Sequence, residues 1–276
     1  MQGSSRFIAI AVLAATTLAV GCTAKKQGKG MDIETRTITY RVGDTELTGF
    51  LATPKDKSSE HAGVLVVHEW WGHNDYVRDR AQQLARLGYA AFALDMYGSG
   101  KAAAHPQDAQ AFMQEVMSNA ELMEARFRAA LEVLQASDGV DKERTCAIGY
   151  CMGGGIVLRM ARTTELLDVA ASFHGSLGAA LDLEDANGHS KRIFIANGGD
   201  DPFVPSEVAQ KLAEQIRTNT DGLVVATYAG AKHGFTNPAA TAKGKEFGLP
   251  LAYDAKADAA SWAELLQVMR DAFSAD

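Results

Sequence analysis

A cysteine in the segment Ile148–Gly155 (IGYCMGGG) has neighbours that could make it a nucleophile. Glycines lie two residues before and two residues after Cys151, and this spacing allows a strand to turn sharply into a helix with one side chain exposed at the turn. A thiol at a helix N-terminus is stabilised as the thiolate by backbone N–H groups and by the helix dipole. Because a thiolate attacks carbonyl carbon, the pattern predicts covalent acyl chemistry.

The alternative for this motif is a tight strand–helix junction in which the cysteine only fills space. The flanking sequence favours a nucleophile, because residues 142–149 have the pattern of a strand and residues 153–163 that of a partly buried helix. Cys146 lies inside the predicted strand and is interpreted as a small core residue.

An acid and a histidine follow Cys151 in the chain order that such a nucleophile elbow requires. Asp200 and Asp201 come after one short apolar strand, and His233 comes after the next. In parallel sheets, ligands bind at the C-terminal ends of strands, so these groups are expected to meet there. We predict that His233 takes the thiol proton and returns it to the leaving group, while one of the two aspartates orients the imidazole.

Five segments together make the chain resemble the cysteine-dependent dienelactone hydrolases of the α/β-hydrolase superfamily. They are HEWWG at 68–72, DMYG at 95–98, GYCMGG at 149–154, DPFVP at 201–205 and HGF at 233–235. The resemblance begins near residue 33 and extends to the C-terminus. It implies a catalytic triad of Cys151, Asp201 and His233, because the acid of the family precedes x-x-Val-Pro.

The resemblance also implies roles for the loop that follows the apolar strand Gly63–His68. Backbone N–H groups of Trp70 and Met152 would form an oxyanion hole, which agrees with the general rule for such elbows. Glu69 matches a glutamate that in related enzymes interacts with the resting thiol and shifts when substrate arrives. A carboxylate beside Cys151 would disfavour the free thiolate and protect it from oxidation. The alternative is a carboxylate that pairs with a basic group.

The chain departs from the family at two positions that bear on substrate. Relatives that bind a substrate carboxylate use one arginine shortly after the Asp-x-Tyr segment and another four residues after the catalytic histidine. This chain has Ser99 and Asn237 there, and the nearby Lys101 lacks the planar fork of arginine. We therefore expect an apolar, aromatic pocket, with simple packing of the aromatic residues as the alternative. The predicted pocket residues are Trp70, Trp71, Tyr97, Ser99, Phe235 and Asn237.

The run His68-Glu69-x-x-x-His73 nearly matches a zinc-protease signature. That signature needs histidines four residues apart, so that both face one side of a helix. Here they are five apart at a strand end, and we predict no metal site. His174 ends another apolar strand and is interpreted as a residue near the core that could also line the pocket.

The N-terminus has the layout of a signal peptide. A basic residue precedes the apolar run Phe7–Val20, which is short for a membrane span. The small residues before Cys22 resemble a bacterial lipoprotein cleavage site. We predict a signal peptide over residues 1–21 and a lipidated tether over residues 22–31, anchored through Cys22 on the periplasmic side of the inner or outer membrane of a diderm bacterium. A leader without lipid is the alternative.

Composition and patterning predict a single α/β domain over residues 32–276. The formal net charge is −7, and the chain has no basic patch, Walker loop or dinucleotide fingerprint, so neither nucleic acid nor a nucleotide is an expected partner. A β-hairpin turning at Gly43-Asp44, followed by alternating strands and helices, predicts the α/β-hydrolase fold, with a mainly parallel central sheet flanked by helices. One helix is expected over residues 107–136.

The sequence therefore predicts a hydrolase of the cell envelope that cleaves small-molecule esters, lactones or thioesters through an acyl-cysteine intermediate, without a cofactor. One alternative is a broad carboxylesterase or acyltransferase with no lactone preference. Another is a binding lipoprotein that kept the fold without catalysis. The acyl group and the oligomeric state are left open.

Overall fold

The computed structural model describes residues 30–181, 183, 186, 190–217 and 222–274. The predicted signal peptide, Cys22 and most of the predicted tether lie outside these residues. Beyond Gly30 the chain forms one compact unit. No helix within the described ranges is both long and apolar enough to cross a membrane.

The described strands form one eight-stranded sheet in the order β1-β2-β4-β3-β5-β6-β7-β8. Their bounds are Ile33–Val42 (β1), Thr45–Pro54 (β2), His61–Val67 (β3), Ala90–Leu94 (β4), Val140–Tyr150 (β5), Val169–Phe173 (β6), Arg192–Gly198 (β7) and Leu223–Tyr228 (β8). β2 pairs antiparallel with β1 and β4, and all other pairings are parallel. The predicted hairpin and mainly parallel sheet are confirmed, and the architecture is that of an α/β-hydrolase.

Seven α-helices lie within the described residues. Their bounds are Asp75–Arg86 (α1), Pro106–Met117 (α2), Ala120–Gln135 (α3), Met152–Thr163 (α4), Ser206–Arg217 (α5), Ala240–Phe247 (α6) and Ala255–Phe273 (α7). The single helix predicted over 107–136 is wrong, because the side chain of Asn119 accepts a hydrogen bond from the Leu122 N–H and caps a new helix. Helix α6 was not predicted. A glycine inside a helix is unusual, and Gly244 made the pattern hard to recognise. The structure explains this glycine, because a Cβ there would lie only 2.4 Å from the Leu251 carbonyl oxygen.

The sheet is covered on both faces, and β3 shows how. Leu65 and Val67 pack into the core beneath α3, α4 and α5, whereas Val64 and Val66 pack against α1 and α7. This alternation follows from the two-residue period of a strand and explains why β3 is buried throughout. Because these strands are parallel, their C-terminal ends lie at one edge of the sheet, and the predicted catalytic residues follow the strands at that edge.

Candidate active site

Cys151 lies in a strained turn between β5 and α4. Its φ is 53°, in the left-handed region that residues other than glycine seldom occupy. The turn is held by backbone hydrogen bonds, from the Cys151 N–H to the Phe173 carbonyl (3.1 Å) and from Gly154 and Ser176 to the Cys151 carbonyl (3.0 and 2.9 Å). The fold therefore fixes the thiol at the N-terminus of α4.

The two flanking glycines permit close approach of backbone to backbone. A Cβ at Gly149 would lie 2.1 Å from the Gly153 carbonyl oxygen, and a Cβ at Gly153 would lie 2.5 Å from the Val67 carbonyl oxygen. The spacing Gly-x-Cys-x-Gly thus allows β5, α4 and the end of β3 to meet without side chains between them.

Asp201 and His233 form a buried pair beside the thiol. Asp201 Oδ2 and His233 Nδ1 are 2.8 Å apart, and Asp201 Oδ1 accepts a hydrogen bond from the Phe203 N–H at 2.9 Å. Asp200, the other candidate orienting residue, is exposed. The pairing leaves Nε2 as the nitrogen available to the thiol, which fits the order of roles in a triad.

The charge on His233 is set by its neighbours. Burial lowers the pKa of the imidazole, but the negative charge and hydrogen bonding of Cys151 and of Asp201 raise it to about 10. The imidazole is therefore protonated at neutral pH. Its ring is held between those of Phe203 and His174, with centroids 5.1 and 5.2 Å away.

The two amides predicted to form the oxyanion hole have free N–H groups. Within the described part of the chain, neither the Trp70 N–H nor the Met152 N–H donates a hydrogen bond to a protein acceptor. Trp70 borders the cavity above the thiol, and Met152 directly follows Cys151 at the first position of α4. Both amides are thus available to a ligand oxygen.

Glu69 is buried and its hydrogen bond goes to an amide. Oε2 accepts from Asn237 Nδ2 at 2.6 Å, and burial raises the pKa of the carboxyl group even though this bond and the charge of His233 lower it. Within the described residues, Asn237 is thus the hydrogen-bond partner of this carboxyl group, and neither the Cys151 thiol nor a basic side chain bonds to it. Asn237 holds Glu69 and does not line the cavity.

A cavity of about 170 Å³ opens beside the thiol, and its walls are mostly apolar. It is lined by Trp70, Met113, Cys151, Ser176, Phe203, His233, Leu249 and Leu251. Only Trp70 among the predicted pocket residues contributes. Met113 comes from α2, and the two leucines follow α6, so no local sequence pattern linked them to the elbow.

The other predicted pocket residues have different contacts. Phe235 is buried in the core that faces α7, and Ser99 shares a hydrogen bond with Thr48 at 2.6 Å. Trp71 packs on Phe247 and lies beneath the Lys243 ammonium group.

Tyr97 is buried, and its hydroxyl donates to the Trp70 carbonyl. These placements correct the pocket predicted from the sequence.

Apart from His233, the described lining of the cavity carries no basic side chain. Lys101 does not replace the missing arginine, since its Nζ pairs with Glu115 at 3.4 Å and it is absent from the cavity lining. Within the described residues, no lysine or arginine lines the cavity. In the same residues, no group of three or more histidine, cysteine, aspartate or glutamate side chains is arranged to hold a metal ion.

A buried network that sequence reasoning missed supports the loop carrying His233. Arg80 Nη2 donates to the Thr236 carbonyl (2.7 Å) and to Asp258 Oδ1 (2.5 Å). The Thr236 hydroxyl in turn hydrogen-bonds to His174 Nε2 (2.7 Å) and to the Tyr76 hydroxyl (2.6 Å). His174 is fully buried behind His233 and does not line the cavity. The sequence contained one sign of this network: Arg80 lies on the apolar face of α1, and a charged residue in such a position needs a buried partner.

Comparison with known proteins identifies the family to which the chain belongs. The dienelactone hydrolase family model matches residues 47–273. Protein usf of Aquifex pyrophilus is 27% identical over 205 residues, which are 72% of this chain and 86% of that protein.

Two solved structures are also similar. A dienelactone hydrolase-like promiscuous phosphotriesterase from metagenomic libraries has 30% identity and a TM-score of 0.78, covering 87% of this chain and 98% of that one. A cold-adapted esterase from an Arctic intertidal metagenomic library shares the fold at 19% identity and a TM-score of 0.59, covering 82% and 98%.

Proposed function

The chain belongs to the dienelactone hydrolase family of carboxylic ester hydrolases, and we propose that it cleaves neutral esters, lactones or thioesters through an acyl intermediate on Cys151. The observation that carries the proposal is the buried arrangement of the strained Cys151 beside His233, which pairs with Asp201. Such an arrangement provides a nucleophile, a proton donor and a group that orients the donor.

The proposed cycle has two halves. The Cys151 thiolate attacks the carbonyl carbon, and the Trp70 and Met152 N–H groups donate to the resulting oxyanion. Collapse of this intermediate breaks the bond to the alcohol or thiol, which takes a proton from His233. The neutral imidazole then removes a proton from water, and the hydroxide displaces Cys151 from the acyl group. The acid is released and the thiolate–imidazolium pair is restored.

The cavity supports a neutral substrate. Its side chains are mainly hydrocarbon, sulfur and aromatic, and no described lysine or arginine lines it. Burying a substrate carboxylate there would be costly, because no described lysine or arginine pairs with it and the charge of His233 is already balanced by Cys151 and Asp201. A dienelactone, which carries such a carboxylate, is therefore a poor candidate, whereas uncharged acyl groups fit the walls.

We also propose that Glu69 restrains the thiol. As a carboxylate it would repel a negative charge on Cys151 and so disfavour the thiolate, while the hydrogen bond from Asn237 keeps it in place. Glu69→Gln removes the charge and leaves a group that can still bond Asn237. We expect Cys151 to react several-fold faster with iodoacetamide in this variant at pH 8. The exposed Glu60→Gln is the control, and equal rates in both would contradict this role.

We further propose export and lipid attachment at Cys22, which rests on the N-terminal sequence alone. When the full chain is produced in a diderm bacterium with labelled palmitate, the purified protein should carry label and Cys22→Ser should not. Label absent from the wild-type protein would contradict the proposal.

Activity is tested with purified protein against activated neutral esters, thioesters and lactones. Cys151→Ala should abolish turnover, whereas Cys146→Ala removes the other buried cysteine of the described chain and should leave it intact. Turnover that survives Cys151→Ala would contradict the mechanism. A folded wild-type protein that is inert to every substrate and to acylating probes would favour a binding role.

A further inference from the structure

The peptide that joins Glu69 to Trp70 is held in place by two hydrogen bonds to its carbonyl oxygen. The Glu69 carbonyl oxygen accepts hydrogen bonds from His68 Nδ1 at 2.6 Å and from the Gly72 N–H at 3.1 Å. The N–H of the same peptide unit is that of Trp70. In a planar trans peptide the C=O and N–H bonds point in opposite directions, so fixing the carbonyl also fixes the direction of the Trp70 N–H.

The tautomer of His68 is determined by its other partner. The Met96 N–H donates to His68 Nε2 at 3.1 Å, so Nε2 is the acceptor and Nδ1 carries the hydrogen that goes to the Glu69 carbonyl. His68 is completely buried, and burial lowers its pKa, which keeps the ring neutral. A neutral ring of this tautomer satisfies both contacts. In an imidazolium, Nε2 would also carry a hydrogen, and this N–H would face the Met96 N–H with no acceptor between them.

Tyr97 holds the next peptide and reaches across to the elbow. Its hydroxyl donates to the Trp70 carbonyl (3.0 Å) and lies 3.2 Å from Met152 Sδ. The edge of its ring packs against His68, with centroids 4.7 Å apart. Burial raises the pKa of the phenol, so the hydroxyl stays a donor. His68 thus packs on Tyr97 and bonds the peptide that carries the Trp70 N–H, while Tyr97 contacts both Trp70 and Met152.

We propose that His68 and Tyr97 are positioning residues that aim the Trp70 N–H at the oxyanion and hold it in register with the Met152 N–H. The proposal rests on the proposed acyl-cysteine function and assigns these two side chains a part in it. Neither side chain lines the cavity or contacts substrate. Their effect should therefore be on the rate of carbonyl attack and not on the binding of the ester.

The variants separate positioning from packing. His68→Leu removes both hydrogen bonds, and His68→Gln restores a donor and an acceptor on one side chain. Tyr97→Phe removes only the hydroxyl. Tyr40→Phe is the matched control, because Tyr40 is another buried tyrosine of the same core whose hydroxyl contacts the backbone of Asp95.

Two reactions of Cys151 are compared in each purified variant: the pre-steady-state acylation rate with an activated ester, and alkylation by iodoacetamide, which forms no oxyanion. Removing an oxyanion donor outright costs about 100- to 1,000-fold. A misaimed donor should cost less, so we expect acylation to fall by about 10- to 100-fold in His68→Leu and by about tenfold in Tyr97→Phe. In His68→Gln, the acylation rate should return most of the way to the wild-type value. In all three variants, KM and the alkylation rate should stay near wild type, and in Tyr40→Phe both rates should do so.

Acylation in folded Tyr97→Phe and His68→Leu at the wild-type rate would overturn the proposal, and so would parallel losses of acylation and alkylation. If His68→Leu does not fold, Tyr97→Phe and His68→Gln still decide. A wild-type protein that acylates through Cys151 shows that any such failure concerns positioning alone. Absence of Cys151 acylation in the wild type would instead contradict the proposed function.

Discussion

At the scale of single residues, the site is defined by the charge on His233. Burial alone would make this imidazole neutral, and the adjacent Cys151 and Asp201 reverse that effect and raise its pKa to about 10. The protonated form is the one that can supply a proton to a leaving group. The ring is also held mechanically, between Phe203 and His174.

Asp201→Asn should move the alkaline limit of activity. Because a negative charge raises the pKa of His233, its loss lowers that pKa, and the imidazole then loses its proton at lower pH. For an ester with a poor leaving group, wild-type kcat/KM should fall as pH rises through about 10, and kcat/KM of the variant should fall at lower pH. The measurement is kcat/KM against pH, because kcat/KM reports the ionisation of the free enzyme. Asp200→Asn, at the exposed neighbour, is the control, and unchanged limits in both variants would contradict the account.

At the scale of secondary structure, the elbow depends on contacts between backbones. Gly149 and Gly153 leave no room for a Cβ, because β5, α4 and β3 converge there. Gly178 provides a comparison, since a Cβ at that position would meet nothing within 4 Å.

Gly153→Ala should therefore damage both stability and turnover. Relief of the contact with the Val67 carbonyl requires a backbone shift, for which we expect about 1 to 3 kcal/mol of lost unfolding free energy. The same shift displaces Cys151 and Met152, so kcat should fall by more than tenfold on the scale known for a misplaced reacting group. Denaturant unfolding and ester kinetics measure both effects, with Gly178→Ala expected near wild type. A fully active, equally stable Gly153→Ala protein would refute this role for the glycine.

Much of the element order could be predicted, because Cys151, Asp201 and His233 each come within five residues of the end of a strand. The residues that line the cavity could not be predicted in this way. Met113 and Leu251 reach the cavity from segments far from the elbow, and only tertiary packing brings them there. Tyr97 was predicted to line the pocket because its aromatic type suits an apolar wall, but its hydroxyl has a buried acceptor instead. The break before α3 depended on one capping side chain, Asn119.

At the scale of the whole molecule, the order of the strands and the distribution of charge together determine which substrates the site can accept. The parallel strands bring the reacting groups to one edge, and α2 and the segment after α6 add apolar walls. Ser99 and Asn237 occupy the two positions where the resemblance implied arginines that bind a carboxylate. Ser99 is turned to Thr48 and Asn237 to Glu69, so neither is free to bind an anion.

The molecule should therefore prefer uncharged acyl groups. With p-nitrophenyl esters of butyrate and of hemisuccinate, which share a leaving group and an acyl chain of four carbons, kcat/KM should favour butyrate by at least about tenfold. The reason is the unpaired carboxylate that hemisuccinate would bring into an apolar cavity. A preference for hemisuccinate would show that a basic group pairs with the substrate carboxylate and would contradict the proposed substrate class.

In the proposed mechanism, Cys151 carries the acyl group during turnover. Wild-type protein mixed with p-nitrophenyl butyrate and quenched in acid within milliseconds should show, by mass spectrometry of its peptides, one butyryl group on the peptide that contains Cys151. That adduct should disappear as substrate is consumed and should never form in Cys151→Ala. Turnover with Cys151 unmodified at every quench time, or with Cys151→Ala as active as the wild type, would contradict the account.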